Sequence, residues 1–232
     1  MREVIFDTET TGLDPKTGDR MVEIGCVEMI GRVETGRSYH AYYNPERDMP
    51  AAAEAVHGLS SVFLSGKPLF ADTFGELIEF LGDAPLVAHN ASFDFGFLNS
   101  ELVRIGRETI SMDRMVDTVA IARKKHPGAK LSLDALCSRY GVDRSHRVKH
   151  GALLDAELLA QVYVELTGGR QIGLELAADS VPAGTAATQI VSSTPKTPTR
   201  PRREPRPHGA TPDELTRHSQ FIAGIEGAVW AK

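Results

Sequence analysis

The chain has 232 residues, 41% hydrophobic and 25% charged, an ordinary globular composition long enough for one sizeable core plus a smaller element. No basic-then-apolar leader opens it and no run is long enough to span a bilayer. Cys26 and Cys137 lie in apolar contexts without metal or redox spacing, as buried thiols in a reducing cytosol do. The net charge of −5 is uneven: residues 1–179 hold 19 Lys and Arg against 27 Asp and Glu, and residues 180–232 hold 7 against 4. A folded part this acidic is a poor general binder of nucleic acid, because phosphate affinity comes mainly from Lys and Arg; any contact is expected to be short and end-on, with metal ions supplying positive charge.

Val4-Ile5-Phe6 is apolar and branched and reads as a buried strand. Asp7 and Glu9 follow on it, one residue apart, and the period of two turns both to one face. Two adjacent anions at the end of a buried strand repel unless a cation lies between them, and a divalent ion with oxygen ligands meets that need. Thr10-Thr11-Gly12 ends the strand. Met21 to Ile30 and Ser38 to Tyr43 read as further strands, joined by a hairpin turn from Gly31 to Gly36. Pro50 to Val56 is a short helix ended by His57-Gly58, and Ser60 to Leu64 a second. Asp72 to Leu81 is amphipathic, with Phe74, Leu77, Ile78 and Leu81 on one face. Pro85 to Ala88 is a short buried strand running into His89-Asn90-Ala91-Ser92-Phe93-Asp94, where Ser92 reads as the cap of a helix to about Ile105 and Asp94 falls in its first turn. His89 and Asn90 read as turn organisers. Met112 to Asp117 is the last strand. Helices follow over Thr118 to Lys125, Leu131 to Tyr140 and Leu153 to Thr167. The fold class is therefore α/β: one mixed five-stranded sheet flanked by helices, then a disordered linker and a C-terminal helix.

Four carboxylates, Asp7, Glu9, Asp94 and Asp155, are the candidate metal ligands. Such a set can hold two Mg²⁺ about 4 Å apart for phosphodiester cleavage, one activating water and the other stabilising the leaving oxygen. His150 is the candidate general base, since an imidazole suits proton transfer near neutrality. Within one helix its offset of five residues from Asp155 would turn it about 140° away. His150 is therefore expected on the loop Arg144 to Gly151, before the helix. Each residue alone has a plain reading: Asp94 as a helix-start acid, Asp155 as an exposed helix position, His150 as a solvated histidine. Their conjunction carries the argument.

Phe6-Asp7-Thr8-Glu9-Thr10-Thr11-Gly12, His89-Asn90-Ala91-Ser92-Phe93-Asp94 and His150-Gly151-Ala152-Leu153-Leu154-Asp155 resemble the three motifs of the DEDDh exonuclease family. The resemblance covers roughly residues 1–170. It implies an RNase H-like fold, removal of nucleotides from 3′ ends, and two divalent metal ions, Mg²⁺ or Mn²⁺. It implies that Asp7, Glu9, Asp94 and Asp155 bind metal, that His150 is the base, and that Thr10, Thr11, His57 and Phe93 meet the terminal nucleotide of a DNA primer strand. For His57 and Phe93 a helix end and a core position are equally good readings. Within the family the chain is most similar to proofreading exonucleases of bacterial replicative polymerases. Free-standing relatives that trim RNA ends, and a non-hydrolytic adaptor, remain the alternative readings.

The resemblance extends to the tail. Gln171, Leu174 and Leu176, in residues 171–176, resemble the short sliding-clamp-binding motif, a Gln with two spaced apolar anchors. Residues 177–210 are a basic linker rich in Pro, Ala, Thr and Arg, expected to be disordered and semi-extended. Residues 211–232 open on Thr211-Pro212-Asp213-Glu214, a capping box with Pro at the first helical position. Leu215, Ile222, Ile225 and Val229 recur at helical spacing, followed by Trp230. This segment resembles the one that binds the polymerase alpha subunit. The expected location is cytoplasmic.

Overall fold

Strand β1, Arg2–Thr10, is buried on both faces over Val4, Ile5 and Phe6 because it lies at the centre of a sheet covered on both sides. In the computed structural model, which describes residues 1–145, 149–169 and 209–225, the sheet has five strands. Their order is β3-β2-β1-β4-β5, with β2 at Met21–Ile30, β3 at Val33–Tyr42, β4 at Leu86–Ala88 and β5 at Met115–Asp117. β1 runs antiparallel to β2 and parallel to β4, and β4 runs parallel to β5. The carboxyl ends of β1, β4 and β5 therefore share one edge, the usual place for a site in an open α/β sheet.

Alternation along β1 splits the core. Val4 and Phe6, with Ile24 and Cys26 of β2, pack beneath α3 (Phe70–Leu81) and α4 (Ala91–Arg104). Ile5, with Val27, Met29 and Val87, packs against Ala156, Leu159 and Ala160 of α7 (Ala152–Leu166). Helices α5 (Thr118–Lys125) and α6 (Leu133–Tyr140) cover α7 through Ala122, Leu136 and Cys137. Short helices α1 (Ala51–His57) and α2 (Ser61–Ser65) follow β3. A separate unit contains α8, Pro212–Ala223, whose start has the expected reciprocal bonds between Thr211 and Glu214. No helix among the described residues is long and apolar enough to cross a membrane.

Several expected boundaries move. The hairpin turn is only Gly31-Arg32, both at positive φ, because Val33 already pairs with Ile30. On α3 the buried residues are Phe70, Leu77, Phe80 and Leu81; the helix begins two residues earlier than its polar start suggests and carries Phe70 into the core, while Ile78, about 100° round the axis from Leu77, is exposed. The last strand shortens to Met115–Asp117 behind a 3₁₀ turn at Met112–Arg114. Ser92 is not the cap of α4. The helix starts at Ala91 behind Asn90, which adopts the left-handed conformation at φ 66°.

Both cysteines are buried, and burial pushes the Cys26 thiol far up. A thiol-specific disulfide reagent at pH 8 is expected to label neither in the native protein and both once it is unfolded, because the thiolate is the nucleophile. Rapid native labelling would contradict this packing.

Candidate active site

The site assembles where β1 ends, α4 and α7 begin and α1 ends. Asp7 and Glu9 face α7, and their cross-strand partners on β2 are Gly25 and Glu23. Gly25 is the means of approach. A Cβ there would lie 2.2 Å from Leu153 N, 2.3 Å from Leu153 Cα and 2.4 Å from Ala152 C, so the first turn of α7 rests directly on the strand beside Asp7. That turn carries Asp155, 3% exposed. His150 precedes the helix as expected, and Gly151 is the N-cap. The His150 backbone N–H reaches the Val56 carbonyl at 3.4 Å, holding its loop over the end of α1. His150 Nδ1 lies 3.1 Å from Asp155 Oδ2, and its side chain is 48% exposed. A proton on Nδ1, donated to that carboxylate, leaves Nε2 with the basic lone pair.

Ligand atoms of Glu9, His150 and Asp155 lie within 4.8 Å of one another. Asp94 approaches from the opposite helix, in the first turn of α4, with its Oδ1 accepting from the Thr8 hydroxyl at 2.8 Å. Burial pushes its carboxyl up to about 7, and the Thr8 hydroxyl only partly opposes this. Glu9 and Glu23, both buried, stand directly opposite each other, and Glu23 meets His40 Nε2 at 2.7 Å. Buried carboxylates concentrated at one sheet edge, with an imidazole beside them, fit a hard divalent cation. Asp7, half-buried, shares the face of Glu9 but stands outside that three-residue group, as does Asp94.

Beside the carboxylates lies a cleft of about 420 Å³, lined by the strand end Thr8 to Leu13, by Pro50, Ala52, Ala53, Val56 and His57, and by Phe93. Four residues singled out in the sequence, Thr10, Thr11, His57 and Phe93, thus meet in one cavity, and Glu9 forms part of its wall. The threonine hydroxyls are used within the loop: Thr10 donates to the Gly12 carbonyl at 2.6 Å, and Thr11 accepts from the Arg20 N–H at 3.0 Å. His57 is buried and burial lowers its pKa. Its Nδ1 accepts from Leu59 N–H at 3.0 Å, so the neutral ring carries its proton on Nε2. Phe93 is half-buried, touches Phe97 at 4.9 Å between ring centroids, and lines the cleft as well, so it is core and wall at once.

Sequence reasoning missed Asp117, the end of β5. Its Oδ1 accepts from the N–H groups of Asn90, Ala91 and Val119 at 3.1, 3.4 and 2.9 Å, capping α5 and fixing the left-handed start of α4. An Asp closing a strand just before a helix was the available signal. It also missed Leu13, 85% exposed at the mouth of the cleft, whose signal is an isolated apolar residue in a polar turn. Gln171, Leu174, Leu176, Val229, Trp230 and the linker lie outside the described residues. Leu215 on α8 and Ile225 just past its end are exposed and Ile222 is half-buried; Phe221, 69% exposed and not anticipated, adds to the apolar surface of that helix.

A mixed sheet with a carboxylate cluster, an adjoining imidazole and a cleft of about 420 Å³ at one edge is the arrangement of a hydrolase that uses divalent metal. The exonuclease family profile, RNase_T, matches residues 4–163. The chain is 47% identical to the DNA polymerase III subunit epsilon of Rickettsia felis over 231 residues, covering 97% of each chain. It is 43% identical to that of Escherichia coli K12 over 176 residues, 73% of this chain and 72% of the other. Among solved structures it is similar to exonuclease X in complex with 5′ overhanging duplex DNA, at 26% identity and a TM-score of 0.56 over 71% of this chain and 90% of that one. The chain belongs to the DEDDh-type exonuclease family, in the group formed by the DNA polymerase III epsilon subunits.

Proposed function

We propose that this chain is the 3′→5′ exonuclease that proofreads DNA as the epsilon subunit of a bacterial DNA polymerase III. The observation that carries the reading is the double membership of Glu9, which converges with His150 and Asp155 and also forms the wall of the cleft. A residue shared in this way puts the scissile phosphate at the carboxylates when the terminal nucleoside fills the cleft.

Asp7, Glu9, Asp94 and Asp155 are the residues that would hold two divalent ions, Mg²⁺ or Mn²⁺. Bound there, the ions supply positive charge to the phosphodiester and ease deprotonation of the attacking water. His150, oriented by Asp155, takes the water proton on Nε2. The new water oxygen–phosphorus bond forms as the bond from phosphorus to the 3′ oxygen breaks. The product is a nucleoside 5′-monophosphate, and the 3′ oxygen leaves protonated from solvent. Thr10, Thr11, His57 and Phe93 shape the cleft around the terminal nucleoside.

The acidic core fits tethered rather than autonomous action. Leu215, Ile222, Ile225, Val229 and Trp230 bind the polymerase alpha subunit, Gln171, Leu174 and Leu176 bind the sliding clamp, and a linker sets a high effective concentration at the primer end. An RNA-trimming enzyme has no evident need of a linker and terminal helix, and an adaptor has no need of buried carboxylates.

The test is trimming of a 3′-mismatched primer–template with Mg²⁺, using the whole chain and an Asp7→Ala, Glu9→Ala variant, each with and without the alpha subunit. The expected result is trimming by the whole chain, stimulated by alpha, and a variant that binds alpha yet does not hydrolyse. If the variant trims normally, the site assignment is wrong. If the whole chain binds alpha but never trims, the adaptor reading wins.

A further inference from the structure

The first part of the loop from Thr10 to Arg20, Thr10 to Leu13, forms one wall of the cleft, and the group that fixes it lies outside the cleft. Thr11, 1% exposed, donates its N–H to the Arg20 carbonyl at 2.9 Å, and its hydroxyl accepts from the Arg20 N–H at 3.0 Å. The Arg20 backbone therefore holds Thr11 on both sides. Its guanidinium crosses to α4, where Glu101, 1% exposed, accepts from Nε at 2.7 Å and from Nη2 at 2.9 Å. Glu101 also accepts from the Met21 N–H at 3.3 Å, and Arg20 Nη1 donates to the Pro45 carbonyl at 3.0 Å.

Helix α4 also bears Asp94, seven residues before Glu101, or about two turns away. One end of the helix presents a carboxylate to the reacting centre, and the other grips the loop that walls the cleft. A buried ion pair is a weak source of stability, because desolvating both charges offsets most of their attraction. A bidentate guanidinium–carboxylate fork does impose distance and angle.

We propose that Arg20 and Glu101 are a positioning pair for the exonuclease reaction, holding the Thr10–Leu13 wall in register with Asp94. The inference rests on the reading that the cleft takes the 3′-terminal nucleotide. The pair touches no reacting atom. It sets how well the terminal nucleotide is held relative to the carboxylates, so its loss acts first on substrate affinity.

The experiment is steady-state trimming of a 3′-mismatched primer with Mg²⁺ by the full chain, comparing wild type with Arg20→Lys and Glu101→Gln. Lysine keeps the charge, but a single ammonium cannot bridge both Glu101 oxygens and the Pro45 carbonyl. Glutamine keeps the shape, so at least one folded variant is available, checked by near-ultraviolet circular dichroism. KM for primer ends is expected to rise about tenfold while kcat changes less than about threefold, as for a misplaced binding wall. Wild-type KM and kcat in both variants, with only a lowered Tm, would overturn the proposal and leave the pair purely structural. A fall in kcat with KM unchanged would also overturn it. Failure of the wild type to trim would instead refute the nuclease reading itself.

Discussion

Asp94→Asn is expected to cripple trimming while making the metal-free protein more heat-stable at pH 8. The carboxyl is 2% exposed, and burial pushes its pKa up to about 7 from an ordinary value of 3.8. A group whose pKa is raised on folding contributes stability below its unfolded value and loses it as pH rises through the folded one. Without a cation, then, the wild type is expected to lose stability between about pH 4 and pH 7 and stay at its lower level above that range. Asparagine keeps an oxygen for the Thr8 hydroxyl and carries no charge to desolvate. Its Tm at pH 8 should exceed the wild-type value by about 3 °C or more, and the two should converge at pH 4. Adding Mg²⁺ or Mn²⁺ should raise the wild-type Tm at pH 8 and move the variant much less, because ion binding to the folded state stabilises it. Activity should fall on the order of 10³-fold, since losing the carboxylate charge weakens the hold on the divalent ions that would face the reacting phosphate. A variant no more stable than wild type at pH 8, or one that trims at the wild-type rate, would show that Asp94 is not the buried anion of the site.

Gly25→Ala should be nearly as damaging to catalysis although it adds one methyl group and touches no functional side chain. The new Cβ would lie 2.2–2.4 Å from backbone atoms of Ala152 and Leu153, and backbone cannot rotate aside as a side chain does. The start of α7 must therefore lift from the sheet, taking Asp155 and the His150 loop with it, while Asp7 and Glu9 stay on β1. A displacement near 1 Å costs about 10²-fold in rate, and overpacking of this kind destabilises by about 1–3 kcal/mol. Gly75→Ala is the control: it lies within α3 with nothing within 4 Å of the added atom, so it should leave trimming unchanged and add up to about 1 kcal/mol of stability. Equal activity in both variants would mean that the close seating of α7 on β2 is unimportant.

Motif residues were legible because local rules govern them. Strand alternation puts Asp7 and Glu9 on one face without knowledge of the fold. Helical rotation alone requires His150 to stand off the helix that bears Asp155, and it does, one residue before the Gly151 cap. The capping box at Thr211 and Glu214 is likewise a short-range pattern, and it forms where the sequence places it. Local propensity misjudged the start of α4. Ser92 is a good capping residue, but Asp117 is brought alongside by the parallel pairing of β5 with β4 and takes the N–H groups of Asn90 and Ala91 instead.

The sequence by itself determined the candidate ligand types, the strand and helix that carry them, and the contrast between an acidic first 179 residues and a basic, proline-rich remainder. Only the tertiary structure decided which residues converge. Arg20 meets Glu101 across 81 positions, and Thr8 meets Asp94 across 86. Gly25 becomes critical only because α7 crosses β2 opposite Asp7. Periodicity reports the face a side chain occupies within its own element. Contact between elements follows from sheet order and helix docking, which burial of the whole core settles at once.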